Sequence, residues 1–177
     1  MSIGMLIIRI AVGLLFIGHG TQKLFGWFGG HGRSGTTGFM ESLGYPAPGV
    51  AAVVGGVAET VGGVLLLLGF LTPVGSLLVI AMMVSAMLAV HVSRGVWNTT
   101  GGIELPLVYA VVAAGIAFGP GRYSLDRVIG WGWNQRVVAI AAIALGVVAG
   151  VVAQMLRRTG QRAEPSVTDT STERRAA

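Results

Sequence analysis

The strongest constraint in this sequence is a set of five apolar stretches, each close to the length that crosses a lipid bilayer. A helix needs about 20 consecutive apolar residues to span the hydrocarbon core. Glycine, proline or charged residues bound each stretch, as expected at the ends of membrane helices. The pattern therefore predicts an all-α, polytopic membrane helical bundle. The stretches cover residues 3–28, 47–70, 73–93, 103–118 and 137–156.

Composition excludes the main soluble alternatives. Hydrophobic residues make up 53% of the 177 positions and charged residues 11%, whereas an ordinary soluble domain has roughly 25% charged residues. The charged residues are too scattered for a nucleic-acid interface. The absence of cysteine excludes a disulfide framework and a thiolate metal site. We expect a multi-pass protein of the cell membrane that contacts the lipid bilayer and no nucleic acid.

Composition also divides the chain into three segments. Residues 1–136 form a transmembrane bundle, and within them residues 123–133 mix polar side chains with two tryptophans, which is typical of an interfacial helix. Residues 137–156 form an additional transmembrane helix. Residues 157–177 begin with arginines and continue with serine and threonine, so we expect a disordered polar tail. No basic residue precedes the first apolar stretch, so we expect the first helix to stay in the membrane.

Two ionisable residues lie well inside the apolar stretches. Arg9 lies in the first, and Glu59 lies near the middle of the second. A charged side chain at a helix centre costs about 2.5 to 3.5 kcal/mol on insertion scales. On a helical wheel, Phe16, Gly20 and Lys23 share a narrow arc with Arg9. We predict that Arg9 and Glu59 form an intramembrane polar pair, which either fixes the helix register or binds protons or a ligand.

Glycines at regular offsets predict close helix packing. In the second apolar stretch, four glycines lie three or four residues from Glu59, so they share its helix face and admit a neighbouring backbone. They are Gly55, Gly56, Gly62 and Gly63. In the fifth stretch, Gly146 and Gly150 have the same spacing of small residues. That spacing favours contact either within the bundle or between the subunits of a homo-oligomer.

Connectivity predicts a second polar group. The ends of the first and third helices and the starts of the second and fourth must share one membrane face. A quinone headgroup, whose carbonyls accept hydrogen bonds from histidine or lysine, would suit this group, and plain interfacial anchoring is the alternative. No HxxxH or ExxH spacing preorganises a metal site, so we predict no metal ligands. The group comprises His19, Lys23, His91 and Glu104.

Four strings in the chain resemble the DoxX family of membrane proteins. They read IRIAVGLLFIGHGTQKLFG from residue 8, GGVAETVGGVLLLLGFLTP around Glu59, IELPLVY at Glu104 and GPGRYSLD ending at Asp126. The resemblance covers about residues 3–126. It implies a four-helix membrane core, to which the C-terminal helix is an addition. It also implies the polar positions Arg9, His19, Lys23, Glu59 and Glu104.

The same resemblance implies a function. DoxX-type proteins are linked with quinone-dependent sulfur oxidation and with membrane complexes that contain soluble oxidoreductases. We therefore expect an accessory subunit or scaffold of a quinone-linked redox complex, with those oxidoreductases as partners. The chain has no cysteine and no flavin fingerprint, which favours a subunit over a stand-alone enzyme. The alternative is a small proton-coupled transporter using Arg9 and Glu59, and the third hypothesis is a metal-dependent membrane enzyme.

Overall fold

A computed structural model describes residues 2–130 and 135–163, with side chains described for residues 3–130 and 135–157. Within these ranges every regular element is helical. A π-helical turn, Met87–His91, and a 3-10 turn, Val92–Arg94, extend the helix Thr72–Ala86 to the end of its apolar stretch. The α-helices are α1 (Ser2–Phe25), α2 (Gly32–Ser42), α3 (Pro48–Leu68), α4 (Thr72–Ala86), α5 (Glu104–Ala117), α6 (Leu125–Ile129) and α7 (Gln135–Ala163).

Four helices in the described part of the chain are long and apolar enough to cross a membrane, which confirms the all-α polytopic bundle. The stretch 103–118 forms the shorter α5, which has 14 residues. Its length is therefore about 21 Å, against about 30 Å for a bilayer core. The four candidate spans are Ile3–Phe25, Pro48–Leu68, Thr72–Arg94 and Gln135–Arg157.

Some helix boundaries differ from the sequence-based expectation. The first interhelical connection contains α2, which has a mean hydropathy too low to resemble a membrane span. The stretch 123–133, expected to be an interfacial helix, contains the short helix α6, and its two tryptophans lie outside the described residues. Helix α7 continues to Ala163, into the predicted tail. Arg157, the first residue of that tail, donates hydrogen bonds to the carbonyls of Leu43 and Ala89. The rest of the tail, residues 164–177, also lies outside the described part.

Glycines bring α1 and α3 into close antiparallel contact. A Cβ placed on Gly20 would lie 2.6 Å from the carbonyl oxygen of Gly56, and one on Gly63 would lie 2.7 Å from the carbonyl oxygen of Gly13. Such distances leave no room for a side chain, so the two backbones touch directly. The glycines on each helix are seven residues apart, which is two helical turns, so they form one continuous seam.

Glycines also pack α4 against its neighbours. Gly62 of α3 faces Leu78 and the carbonyl of Gly75. On the other side of α4, a Cβ on Gly146 would lie 2.9 Å from the carbonyl oxygen of Leu77, and one on Gly150 would lie 2.8 Å from that of Ala81. The small-residue spacing in α7 therefore serves a contact within the chain. A homo-oligomer stays a prediction that this contact does not address.

The seam between α1 and α3 gives a testable prediction. Replacing Gly20 with alanine is expected to lower the free energy of unfolding by about 2 kcal/mol, because its Cβ would meet the Thr60 hydroxyl and the Gly56 backbone. Gly18 is the matched control on the same helix, since a Cβ there meets nothing within 4 Å. Detergent-mediated unfolding followed by circular dichroism measures both variants. An equal loss in Gly18→Ala and Gly20→Ala would show that the seam is not tightly packed.

The register of this seam places the middle of α3 beside the end of α1. Leu24, near the C-terminal end of α1, packs on Gly56. About one turn at the start of α3 therefore extends past α1, and α2 packs beside α3. Thr36 of α2 donates a hydrogen bond to the Lys23 carbonyl, 3.2 Å away, which joins α2 to the end of α1. This arrangement builds the polar site described next.

Candidate functional site

A buried ion pair joins α1 to α3. The Lys23 Nζ lies 2.6 Å from Oε1 of Glu59 and donates a hydrogen bond to it. The Glu59 side chain is 5% exposed and the Lys23 side chain 28% exposed. The second carboxylate oxygen, Oε2, is buried and has no hydrogen-bond partner. The site thus combines an ion pair with an unused acceptor inside a membrane-spanning helix.

The predicted pair of Arg9 with Glu59 does not form. Both residues face the bundle interior, at 1% and 3% exposure, and Arg9 shares its helix face with Lys23. The antiparallel register places Arg9 beside Leu66 and Leu67, about eight residues further along α3 than Glu59. Eight residues correspond to about 12 Å along a helix axis, beyond the reach of a hydrogen bond. Lys23 is therefore the basic partner of Glu59.

Arg9 instead binds backbone carbonyls. Its Nε donates to the carbonyl oxygen of Leu66 at 2.8 Å, and its Nη2 donates to that of Leu67 at 3.0 Å. Its Nη1 donates to the carbonyl oxygens of Pro120 and Tyr123 at 2.6 and 2.8 Å. The carbonyls at a helix C-terminus lack intrahelical donors and carry partial negative charge, so a guanidinium satisfies both needs at the end of α3. Arg9 ties α1, α3 and the segment after α5 together.

Asp126 performs the complementary role at the start of α4. Its Oδ1 accepts the backbone N–H of Leu71 at 2.7 Å, and its Oδ2 accepts the backbone N–H and the hydroxyl of Thr72 at 2.9 and 2.6 Å. The Asp126 N–H in turn donates to the Gly69 carbonyl at 2.9 Å. A carboxylate at a helix N-terminus satisfies donors that have no intrahelical partner. Arg9 and Asp126 therefore cap the two helices that meet at this turn.

Removing the Asp126 cap gives a second testable prediction. Asp126→Ala is expected to lower the free energy of unfolding by about 2 kcal/mol, the upper end of the range for losing an N-cap side chain, because three donors lose their acceptor. Arg127→Ala is the neighbouring control, since its side chain is exposed and belongs to no ion pair among the described residues. Thermal unfolding in the same detergent compares the two. A loss in Asp126→Ala no larger than in Arg127→Ala would contradict the capping role.

A small cavity opens beside Lys23. Its volume is about 280 Å³, and α2 supplies one wall. Three of its lining residues are glycines, and the others provide an amine, an amide, an imidazole, a hydroxyl and a phenyl ring. The cavity connects to buried Glu59 through the Lys23 side chain. The lining residues are Gln22, Lys23, Gly29, Gly30, His31, Gly35, Thr36 and Phe39.

Aromatic side chains gather at the end of α1, next to this cavity. The Phe25 and Trp27 rings lie 5.2 Å apart between centroids, and the Trp27 and Phe28 rings lie 6.4 Å apart and perpendicular. All three side chains are exposed. Phe28 adopts a left-handed backbone conformation with φ of 52°, which costs energy for a non-glycine residue. These aromatic side chains follow directly on the candidate span Ile3–Phe25 and precede the cavity residues Gly29 and Gly30 in the chain, a position typical of an aromatic belt.

The other members of the predicted polar group are distributed over separate places. His91 Nδ1 lies 2.6 Å from the Gly101 carbonyl oxygen, and Glu104 Oε2 accepts the Asn98 N–H at 2.8 Å. These two residues therefore hold the loop between α4 and α5. His19 is exposed and makes an edge contact with Phe16, with centroids 6.5 Å apart. Among the described residues, no hydrogen bond or ion pair joins these three to Lys23 or Glu59.

Metal ligands do not converge in the described part of the chain. No group of three histidine, aspartate or glutamate side chains there is placed to hold a metal ion. The donor set near Lys23 contains one carboxylate and one imidazole, and that carboxylate already neutralises a lysine.

Sequence reasoning named Lys23 and Glu59 but did not pair them. The missing information was the register of α3 against α1, which determines whether Arg9 or Lys23 reaches Glu59. The contacts of Gly13 with Gly63 and of Gly20 with Gly56 define it. Asp126 lay within a recognised motif, yet the chain separates it by 54 residues from Thr72. Its contact is with the start of α4, at Leu71 and Thr72, and no neighbouring residue in the sequence indicates that contact. Arg157 was assigned to the tail, and no local pattern connects it with Leu43.

The fold and this site define a multi-pass helical protein of the cell membrane with a partly buried ion pair between two of its helices. The chain belongs to the DoxX family, whose sequence pattern matches residues 4–92. It is 35% identical over 133 residues to the inner membrane protein YphA of Escherichia coli K12, covering 70% of this chain and 88% of YphA. The resemblance found in the sequence is thereby confirmed.

Two further relatives share this character. The uncharacterized membrane protein Rv3486 of Mycobacterium tuberculosis H37Rv is 33% identical over 135 residues, which cover 68% of this chain and 77% of the relative. The inner membrane protein YqjF of Escherichia coli K12 is 29% identical over 134 residues, which cover 75% of this chain and 96% of YqjF. No solved structure matches the chain. These names place the relatives in membranes and state no activity.

Proposed function

We propose that this protein is an accessory subunit of a membrane redox complex and that it binds a quinone headgroup in the cavity beside Lys23. The observation that carries the proposal is the placement of Lys23, which lines the cavity and also pairs with buried Glu59. An ammonium held in place by a carboxylate offers its remaining N–H groups to a ligand acceptor. A quinone carbonyl oxygen is such an acceptor.

Cavity size and surroundings support a headgroup as the ligand. A volume of about 280 Å³ lies just below the range of about 300 to 1,000 Å³ for small-molecule sites, so it admits one substituted ring and little more. Phe39 offers apolar surface within the cavity, and Gln22 offers a second polar group. The exposed apolar faces of the membrane helices give an isoprenoid tail a lipid environment outside it.

The accessory role follows from what the chain supplies. It has no cysteine, and its described residues bring no three metal-binding side chains together. Electron transfer to or from a quinone in this cavity would therefore use a cofactor of a partner oxidoreductase. The protein's own residues would hold the headgroup and set its position relative to that partner.

Copurification tests this proposal. The full-length protein is extracted in mild detergent, and mass spectrometry identifies the associated proteins, lipids and quinones in wild type, Lys23→Met and the control Arg33→Gln. We expect oxidoreductase subunits to copurify with the wild type and the control. We expect the amount of copurifying quinone to be at least tenfold lower in Lys23→Met. If a folded Lys23→Met sample retained as much quinone as the wild type, the quinone would not bind in this cavity. The absence of any copurifying oxidoreductase would contradict the accessory role.

Proton-coupled transport is a second candidate, favoured by one observation. The Glu59 Oε2 is buried without a partner in a membrane-spanning helix, and intramembrane carboxylates commonly relay protons. This candidate predicts proton flux in proteoliposomes with an imposed pH gradient, abolished in Glu59→Gln. The quinone proposal predicts no such flux in the purified protein, so the two candidates separate in one assay.

A further inference from the structure

A second, wider cleft opens at the end of the bundle opposite Lys23, where the ends of α1, α5 and α7 meet. Its volume is about 1030 Å³. Met5 near the start of α1, Phe118 after α5 and Gln135 at the start of α7 line its walls. Because α1 and α7 are candidate membrane spans, their ends place the cleft at the boundary between hydrocarbon and lipid headgroups.

Cationic side chains line this cleft. Arg122 and Arg127 both line it, both are exposed, and neither forms an ion pair with another described residue. Asp126 is also on the wall, but both of its carboxylate oxygens already accept hydrogen bonds from the first residues of α4. Arg9 adds a further cation behind the Pro120 carbonyl. Three arginines against one aspartate leave two net positive charges around the cleft.

The walls leave space for a bulky ligand. Four lining residues are glycines, and a Cβ added to Gly115, Gly119 or Gly130 would meet no atom within 4 Å. Met5 and Phe118 provide apolar surface in the same cleft that the arginines line. A ligand that combines an anionic group with an apolar chain matches both kinds of surface. An arginine binds a phosphate through two parallel hydrogen bonds, which a lysine cannot do.

We propose that this cleft binds the headgroup of an anionic phospholipid, with Arg122 and Arg127 on the phosphate and Met5 and Phe118 against the start of an acyl chain. The site lies at the opposite end of α1 from the quinone proposal and does not depend on it. Anionic lipids held here would stabilise the segment between α5 and α7, because Arg122, Arg127 and Gln135 line one wall together.

Native mass spectrometry of the full-length protein tests the site. The protein is released from nanodiscs of phosphatidylcholine that contain a minor fraction of phosphatidylglycerol, and retained lipids are counted for wild type and for Arg122→Gln/Arg127→Gln. We expect selective retention of phosphatidylglycerol by the wild type. Each cation near an anionic lipid contributes roughly fivefold to affinity, so the double variant is expected to bind about 25-fold more weakly.

Matched variants keep the test independent of general charge effects and of folding. Arg33→Gln/Arg94→Gln removes two exposed arginines near the other end of the bundle and is expected to retain the lipid. Arg122→Lys/Arg127→Lys keeps the charge and is expected to retain most of it. Equal retention by wild type and Arg122→Gln/Arg127→Gln would overturn the proposal, and so would equal loss in the Arg33→Gln/Arg94→Gln control. If soluble glycerol phosphate displaced the lipid at equal concentration, the ligand of the cleft would be a free phosphate compound and not a phospholipid.

Discussion

Replacing Arg9 with leucine is expected to lower the free energy of unfolding by about 4 kcal/mol. The guanidinium donates to four carbonyl oxygens in two different parts of the chain, the end of α3 and the segment 120–123. A buried polar group without its partner costs about 1 to 3 kcal/mol. Leucine fills part of the volume but supplies no donor. The end of α3 and the segment 120–123 would then lose their common attachment to α1.

Stepwise unfolding in mixed micelles, followed by circular dichroism, measures this loss. Arg9→Lys is the informative companion, since a single ammonium cannot reach four carbonyls and should recover only part of the stability. Arg33→Leu is the control, because Arg33 is exposed on α2 and its loss should change stability by less than about 0.5 kcal/mol. Equal stability of Arg9→Leu and Arg33→Leu would contradict the structural role of Arg9.

Replacing Lys23 with methionine is expected to destabilise the protein by about 3 kcal/mol. The substitution leaves Glu59 buried at 5% side-chain exposure without its counter-charge, and breaking a buried ion pair from one side commonly costs 3 to 5 kcal/mol, so about 3 suits a pair with one partly exposed partner. The double variant Lys23→Met/Glu59→Leu removes both charges together. We expect it to recover most of the lost stability.

A double-mutant cycle turns this expectation into a test of the pairing. The coupling energy between Lys23 and Glu59 should be about 2 kcal/mol. The effects of substituting Arg9 and Glu59 on the free energy of unfolding should add within about 0.5 kcal/mol, since these two residues share no partner. The same unfolding assay serves both cycles. Strong coupling of Glu59 to Arg9 together with weak coupling to Lys23 would contradict the register of α1 against α3.

The fold was predictable because its determinants are local. Apolar stretches of membrane-spanning length locate α1, α3, α4 and α7 within a few residues, and the bilayer leaves few other ways to satisfy their backbones. The glycines around Glu59 were recognisable from helical periodicity alone, and the structure places them at the close contacts of α3. The connection holding α2 gave no such signal, because its polar, glycine-rich sequence resembles a loop.

The candidate site was predictable only in part because it depends on register. Helical periodicity places Arg9 and Lys23 on one face of α1, but it does not determine which of them lies level with Glu59. The glycine seam defines that register, with Gly13 against Gly63 and Gly20 against Gly56, and it is a tertiary contact that the sequence of either helix does not specify alone. Arg9 was available for backbone carbonyls as a result. Long-range caps such as Asp126 on α4 depend in the same way on tertiary contacts that no local pattern records.

Binding of quinone beside Lys23 is tested by titrating the protein in nanodiscs with a short-chain benzoquinone and comparing wild type, Lys23→Met/Glu59→Leu and Arg33→Gln. The double variant lacks the ion pair and is expected to stay folded, so lost binding would report on the site. We expect one bound quinone in the wild type and in Arg33→Gln, and binding at least tenfold weaker in the double variant. Equal binding by all three proteins would show that the Lys23 cavity does not hold the quinone.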